Sequence, residues 1–332
     1  MNKSLIEARS KVVKLVREYF DREGFLELQT PRLVGLPGQE PYLEPMWSGV
    51  EEQNGAAHRG ALITSPEYAM KRMLAAGFDK IYDLGPCFRN GEPWDGTHDP
   101  EFFMCEWYEK GIGLSELMDR TEDMVRFVIS SIVEKSLVRD ASALLGMTNK
   151  PFRRLTVAEA MKAYANVDLD PLLENREAMA QACRAHGQTV SETDTWDDLF
   201  FKIFLSEVEP KLGEMPTFLT HYPASMAALA QKDPSDPRFA LRTELYIGEL
   251  ELANGFVELA DPVEQRKRFE EEQVLRRSLG KETWPIDERF MEALPQMGQA
   301  AGIAFGVDRL AMLLTGAKSI SDLMPIPVRD RF

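Results

Sequence analysis

The sequence predicts an α+β fold built around an antiparallel sheet. Strand-like runs lie towards both ends of the 332-residue chain, helical segments lie between them, and there is no alternating strand-helix rhythm. Two of these runs, 80–90 and 101–111, flank a polar loop that contains glycine, which is typical of an antiparallel hairpin with a long tip. Hydrophobic residues make up 44% of the chain, so a sizeable core can be buried.

The first expected element is a helix. Ser4 and Glu7 form the S-x-x-E pattern of a capping box, and apolar residues recur at helical spacing until Gly24. The elements expected next are a short strand at 25–29, loops and short strands at 35–60, and a helix that begins at Ser65.

The rest of the chain is mostly helical. An amphipathic helix is expected over 114–135, and a helical insertion without a strong strand signal over about 140–215. Acidic and basic residues interleave over 264–277, which is typical of a solvated helix laced with salt bridges. A glycine-rich strand and a helix follow over 301–316. We expect one domain over residues 1–332.

Composition excludes some classes of function. The chain has 54 acidic and 39 basic residues and a net charge of −15, which disfavours extensive nucleic-acid binding. No apolar run approaches the roughly 18 residues that span a bilayer, and no signal peptide is recognisable, so the cytoplasm is the expected location. Cys87, Cys105 and Cys183 fit neither a disulfide framework nor a zinc motif and are expected to be reduced and buried.

Three glutamates recur every seven residues in the otherwise apolar run ELYIGELELANGFVEL: Glu244, Glu251 and Glu258. A two-residue turn at Gly248 would place Tyr246 opposite Glu251 across two strands.

A second, stronger turn signal at Asn254-Gly255 would place Glu251 opposite Glu258. Like charges directly opposite each other destabilise a sheet, so cations are expected among these carboxylates. One alternative is that one or two of them point to solvent at strand ends. The other is a site for Mg²⁺, which uses one or two carboxylates together with substrate phosphates, and for a positively charged substrate group.

Two arginines are candidates for binding those phosphates. Arg89 stands at the end of a strand-like run, and Arg309 opens the last helix after a glycine-rich strand. The planar guanidinium makes paired hydrogen bonds to phosphate. Either arginine alone is more often a surface or ion-pair residue.

Three segments together resemble the motifs of class II aminoacyl-tRNA synthetases. Residues 28–33 resemble the end of motif 1, 88–108 motif 2 and 302–310 motif 3, in the right order. The segments SPEYAMKRML, PEFFMCEWY and ELELANGFVEL resemble the amino-acid pocket of the lysine subgroup. Over essentially the whole chain the sequence resembles the elongation factor P–lysine ligases, which are paralogues of lysyl-tRNA synthetase.

Three features favour the ligases over the synthetases. Motif 1 begins at residue 5, which leaves no room for an N-terminal anticodon-binding barrel. Ala253 and Ala304 stand where the synthetases usually have Gly. The acidic charge suits an enzyme that does not hold tRNA. In the ligases, Ala at the position of Ala304 is associated with the use of (R)-β-lysine.

The resemblance implies roles for individual residues. Arg89 and Arg309 are the implied catalytic residues, on the α- and γ-phosphates of ATP, and Glu244 and Glu251 are the implied Mg²⁺ ligands. The residues implied to hold lysine are Ser65, Glu67, Glu106, Tyr108, Glu258 and Ala304. The residues implied to bind ATP are Arg89, Asn90, Glu92, His98, Asp99, Phe102, Glu251, Leu252, Gly306 and Arg309, with Phe102 stacked on adenine.

The motif 2 loop departs from the family pattern. Gly91 separates Asn90 from Glu92, the loop is one residue longer, and Asp99 replaces a common Asn. A negative charge at Asp99 is unfavourable beside ATP.

The leading hypothesis is a ligase that uses ATP to activate lysine or (R)-β-lysine and transfers it to the ε-amine of a lysine on elongation factor P. One alternative is a free-standing lysyl-tRNA synthetase core, or another adenylate-forming enzyme with a different acceptor. A third is an inactive paralogue that binds lysine or a partner, although retention of both arginines and both metal ligands argues against it. The resemblance also implies a homodimer.

Overall fold

The computed structural model describes residues 2–134, 146, 149–213 and 215–332. The last residue of the helix predicted at 114–135, and residues 140–145, 147, 148 and 214 of the predicted helical insertion, lie outside these described residues.

The strands of the described residues, in chain order, are β1 (Leu26–Glu27), β2 (Leu33–Val34), β3 (Met46–Glu51), β4 (Ala57–Leu62), β5 (Lys80–Phe88), β6 (Glu101–Lys110), β7 (Arg153–Thr156), β8 (Thr217–Pro223), β9 (Phe239–Ile247), β10 (Leu250–Val257) and β11 (Ala300–Gly306). The α-helices are α1 (Lys3–Arg22), α2 (Glu67–Ala75), α3 (Leu114–Glu134), α4 (Val157–Ala160), α5 (Arg176–Ala185), α6 (Trp196–Ile203), α7 (Pro262–Ser278), α8 (Glu288–Met297) and α9 (Val307–Thr315).

The chain divides into two compact units: unit 1 is Met1–Leu145 with Glu258–Phe332, and unit 2 is Gly146–Val257. Unit 2 therefore contains strands β7 to β10 as well as the helices of the predicted insertion. That the whole chain acts as one domain stays a prediction.

Unit 1 contains a sheet in the order β1-β5-β6-β11 and a small sheet in the order β2-β4-β3. Strand β5 pairs antiparallel with β6, and β6 with β11, while the short β1 is parallel to β5. Helix α1 packs on the larger sheet through Phe20, whose ring stacks on Tyr82 and also contacts Trp107. All three rings are buried, so this contact fixes α1 against the strands that carry the predicted lysine pocket.

Unit 2 contains strands in the order β10-β9-β8-β7. The pairs β10–β9 and β9–β8 are antiparallel, and the pair β8–β7 is parallel. Its core lies between these strands and the helices α4 to α6 and includes the buried residues Phe200, Phe204 and Leu219. In the described residues of each unit, most strand pairs are antiparallel and the helices pack on the sheet, which confirms the predicted α+β class.

Several expected elements are confirmed. The hairpin forms between β5 and β6, the helix predicted from Ser65 begins at Glu67, and Gly248 makes the turn that places Tyr246 opposite Glu251. The three cysteines are reduced and buried. Among the described helices, none combines the length and apolar character needed to cross a membrane.

Three expectations are wrong. Asn2 is the N-cap of α1, and Ser4 lies inside the helix and donates to the Asn2 side chain, so there is no capping box at Ser4. Strand β7 lies within the predicted helical insertion, where no strand was expected. Asn254-Gly255 makes no turn: β10 continues through it and stays paired with β9, with Asn254 opposite Glu244 and a bulge between Glu251 and Ala253.

Candidate active site

A buried ion-pair cluster lies in unit 1, where helix α2 carries Glu67 and Lys71 one turn apart. The Nζ atom of Lys71 lies 2.5 Å from Glu67 Oε1 and 2.6 Å from Glu258 Oε2. Lys71 is 1% exposed and Glu258 is 3% exposed. Burial lowers the pKa of Lys71, but the charges of Glu258 and Glu67 outweigh this effect and raise it. One ammonium therefore joins two carboxylates from distant parts of the chain.

The third carboxylate of the cluster is Glu106, on β6. Its Oε1 accepts a hydrogen bond of 2.5 Å from Ser65 Oγ, and its Oε2 accepts one of 2.9 Å from Tyr108 OH. The Ser65 hydroxyl also accepts from the backbone N–H of Glu67, which ties Glu106 to the start of α2. Burial raises the pKa of Glu106 to about 8, with a further contribution from the charge of Glu67.

This cluster has three carboxyl groups and one ammonium group. Burial raises the pKa of Glu258 to about 8, against the opposing charge of Lys71. Within the part of the chain that the structure describes, the buried Oε1 of Glu258 has no hydrogen-bond partner. A ligand with ammonium groups would favour the ionised forms of Glu106 and Glu258 and pair with their charges.

Small residues of β11 make room beside these carboxylates. Gly302 lies opposite Tyr108, and Ala304 lies opposite Glu106, in the β6–β11 register. A Cβ atom on Gly302 would come within 2.1 Å of the Tyr108 ring, so only glycine leaves the ring in place. The methyl group of Ala304 shares a face of the sheet with the Glu106 carboxylate.

The predicted phosphate-binding arginine at the end of β5 has an unsatisfied polar atom. Arg89 Nε is buried and has no hydrogen-bond partner among the described residues. Its guanidinium lies over the ring of Phe102, 4.9 Å from the centroid. A guanidinium stacked on an aromatic ring and lacking a partner for Nε is suited to bind an anion.

The second arginine lies near the start of α9, whose N-cap is Gly306. Arg309 Nη2 is 3.2 Å from His98 Nε2, and His98 Nδ1 is 3.1 Å from Asp95. The structure therefore brings together the predicted ATP-binding residues His98 and Arg309.

Asp99 does not carry an unfavourable free charge. It is 1% exposed, and Arg331 Nη2 donates to both of its oxygens, at 2.5 and 2.7 Å. The backbone N–H of Glu101 also donates to Asp99. Its carboxylate is therefore already paired within the protein, and its role towards ATP stays a prediction.

The tip of the loop between β5 and β6 is open to solvent. Asn90 is exposed and accepts from the backbone N–H of Gly91, and Glu92 is partly exposed. Neither has an observed contact that tests its predicted role towards ATP.

The predicted metal ligands lie in unit 2. Glu244 accepts hydrogen bonds from the Tyr222 hydroxyl, from the Tyr246 hydroxyl at 2.7 Å and from Arg242 Nη2 at 2.5 Å. Because Tyr246 lies opposite Glu251, the Glu251 side chain is on the same face as Glu244.

This donor set fits Mg²⁺ in part. A carboxylate offers about four acceptor positions, so three hydrogen bonds leave Glu244 one for a metal. Among the described residues no group of three or more His, Cys, Asp or Glu side chains is arranged to hold a metal, so two carboxylates would need further oxygen ligands from the substrate. Leu252 and Ala253, on the adjoining bulge, are buried.

The structure brings five of the predicted lysine-binding residues, Ser65, Glu67, Glu106, Tyr108 and Glu258, into one connected network. Sequence reasoning missed three cations that pair with predicted residues: Lys71, Arg242 and Arg331. Lys71 could have been found, because it follows Glu67 by four residues on a predicted helix. Arg331 could not, because 232 residues separate it from Asp99.

Comparisons with known proteins find relatives over nearly the whole chain. Residues 1–330 match the family described as class II tRNA synthetases (D, K and N). The chain is 37% identical over 327 residues to the elongation factor P–(R)-β-lysine ligase of Proteus mirabilis, covering 96% of this chain and 94% of that protein. It is 35% identical over 323 residues to the corresponding ligase of Haemophilus influenzae, with the same coverage. It is also 35% identical to the lysine–tRNA ligase of Mycoplasmoides gallisepticum, but spans 63% of that protein's length.

Proposed function

Because this chain belongs to the class II tRNA synthetases of the D, K and N group, we propose that it activates lysine or (R)-β-lysine with ATP. The activated aminoacyl group is then transferred to the ε-amine of a lysine on elongation factor P. The reaction releases pyrophosphate and AMP.

One observation carries this proposal: the buried excess of carboxylates in unit 1. Glu106 and Glu258 both have a pKa raised to about 8, and Glu258 Oε1 lacks a hydrogen-bond partner among the described residues. Binding a cationic amino acid would favour their ionised forms and satisfy that oxygen. Glu258, Glu106 and Tyr108 are proposed to hold the side-chain ammonium, and Glu67 the other amino group.

The first step is adenylation. A carboxylate oxygen of the amino acid bonds to the α-phosphorus of ATP, and the bond from that phosphorus to the leaving pyrophosphate oxygen breaks. This step needs positioning and charge neutralisation and no general base. Arg89 is the proposed ligand of the α-phosphate and Arg309 of the γ-phosphate, and Phe102 is proposed to stack on adenine.

Glu244 and Glu251 are the proposed ligands of Mg²⁺, which when bound supplies neutralisation of phosphate charge. In the second step the acceptor nitrogen bonds to the acyl carbon, the bond to AMP breaks, and the amine loses a proton to solvent. This leaves an amide.

The relatives differ in their named acceptors. The chain covers 94% of the length of the two elongation factor P ligases but 63% of the lysine–tRNA ligase, which supports the protein acceptor. Ala304 lies opposite Glu106, where its methyl group restricts the space beside the carboxylate, and this supports (R)-β-lysine as the preferred amino acid. A homodimer and a cytoplasmic location remain part of the proposal.

Labelling the acceptor tests the proposal. The protein is incubated with ATP, Mg²⁺ and radiolabelled α- or β-lysine, together with either elongation factor P or tRNA. Label on elongation factor P, and its loss when the acceptor lysine is replaced by arginine, is the expected result. Label on tRNA alone would identify a tRNA ligase instead.

A further inference from the structure

Lys71 is the one member of the unit 1 cluster to which no role was assigned from the sequence. On the basis of the proposed function, we infer that Lys71 is a built-in counter-ion that sets the specificity of the amino-acid pocket. Its ammonium neutralises one of three carboxylates and leaves two for a substrate that carries two ammonium groups.

The ion pair between Glu67 and Lys71 differs from an ordinary ion pair on a helix surface. Glu67 and Lys71 are four residues apart on α2, a spacing at which ion pairs on an exposed helix face stabilise only weakly. Here Lys71 is 1% exposed, and it also binds Glu258, which follows β10 in the chain. The Glu258 backbone N–H donates to the Ala300 carbonyl at 2.9 Å, so the segment that carries this carboxylate is fixed against β11. Lys71 thereby positions two carboxylates relative to each other.

The number of charges in the unit 1 cluster determines which amino acids it can bind. Buried carboxylates are stable as ions only when they are paired with cations. When ionised, Glu67, Glu106 and Glu258 provide three negative charges, and Lys71 provides one positive charge. Lysine and β-lysine each bring two ammonium groups and complete the balance. An amino acid with one ammonium group leaves one buried carboxylate uncompensated, and is rejected for that reason.

Lys71 does not serve as an acceptor of the acyl group. Its ammonium is buried between two carboxylates, which keep it protonated, and a protonated amine cannot attack an acyl carbon. Its action on the reaction is therefore through the positions and charges of Glu67 and Glu258, as a positioning residue.

The test compares Lys71→Met with the wild-type protein in lysine-dependent ATP–pyrophosphate exchange. We expect the KM for lysine to rise at least 20-fold, with kcat within threefold and the KM for ATP unchanged. Lys71→Arg should restore part of the loss. Lys80→Met is the matched control, because Lys80 pairs with Glu109 on the opposite face of the same sheet and should keep the wild-type KM.

Chemical rescue distinguishes this role from a purely structural one. In Lys71→Ala, whose folding is checked by thermal unfolding, ethylammonium chloride should lower the KM for lysine at least fivefold, and the same concentration of sodium chloride should not. The inference is overturned if wild-type exchange is normal but Lys71→Met keeps the wild-type KM, or if ethylammonium has no effect on folded Lys71→Ala. Absence of exchange in the wild-type protein would instead contradict the proposed function.

Discussion

Arg331 Nη2 donates hydrogen bonds to both side-chain oxygens of Asp99, and its Nη1 donates to Glu101 at 3.0 Å. The same C-terminal region binds the loop a second time, where the Ile320 N–H donates to the Gly96 carbonyl at 2.8 Å. The loop between β5 and β6, which carries His98, is thus anchored at two points by residues near the C-terminus. The Asp99 carboxylate, whose charge was expected to be unfavourable beside ATP, anchors this loop through Arg331.

Arg331→Ala should destabilise the protein more than Asp99→Asn does. Without Arg331 the buried Asp99 carboxylate has lost its cationic partner, whereas the amide introduced by Asp99→Asn is neutral and has nearly the same shape as the carboxylate. We expect a loss of about 3 kcal/mol in the free energy of unfolding for Arg331→Ala, at the lower end for breaking a buried pair because Arg331 is partly exposed. Chemical denaturation measures it, with Arg329→Ala, an exposed neighbour, as the control. Equal losses in Arg331→Ala and Arg329→Ala would contradict the anchoring role.

Stability should depend on pH through Glu106. Its pKa is raised from 4.5 to about 8 in the folded protein, so the folded state holds this proton more tightly than the unfolded chain does. The free energy of unfolding should therefore fall as pH rises from about 5 to about 8. Glu106→Gln cannot titrate and should reduce that slope, while Glu249→Gln, in the exposed β9–β10 turn, should retain it. Thermal unfolding across this pH range is the measurement, and an unchanged slope in Glu106→Gln would count against the assignment.

Gly302→Ala should damage the lysine pocket. The added methyl group would lie 2.1 Å from the Tyr108 ring, which must move and break its hydrogen bond to Glu106. We expect a tenfold or larger rise in the KM for lysine and a loss of about 1–3 kcal/mol in the free energy of unfolding. Gly49→Ala is the matched control, because Gly49 also lies in a strand but a methyl group there meets open space. A variant with wild-type KM would show that Tyr108 does not hold the substrate.

Ala304→Gly should shift the choice between lysine isomers. Removing the methyl group opposite Glu106 opens space for the α-amino group. The ratio of kcat/KM for α-lysine to that for (R)-β-lysine should rise about tenfold or more, since one methyl group is worth about 1–3 kcal/mol of discrimination. The control is Ala301→Gly, on the opposite face of β11, which should leave this ratio unchanged. Steady-state exchange kinetics with each isomer decide between these outcomes.

Local patterns accounted for much of the fold, whereas the lysine-binding residues were predicted from the family resemblance. The hairpin of β5 and β6 follows from alternating strand residues around a polar loop, and it aligns Glu106 and Tyr108 on one face. The prediction of a turn at Asn254-Gly255 was wrong because strand pairing with β9 outweighs the local turn preference of these two residues. The pairing of Asp99 with Arg331 depends on tertiary structure, which no local pattern encodes. Lys71 was visible as a helical neighbour of Glu67, but its burial was not.

Lysine-dependent ATP–pyrophosphate exchange is the most direct test of the central claim, that the buried carboxylates select a diammonium amino acid for adenylation. The assay compares α-lysine, (R)-β-lysine and norleucine, which has the four-carbon side chain of lysine but lacks its ammonium group. We expect exchange with at least one lysine isomer, none above background with norleucine, and at least a 50-fold fall in kcat/KM for Glu258→Gln. No exchange with either isomer, or equal exchange with lysine and norleucine, would contradict the claim.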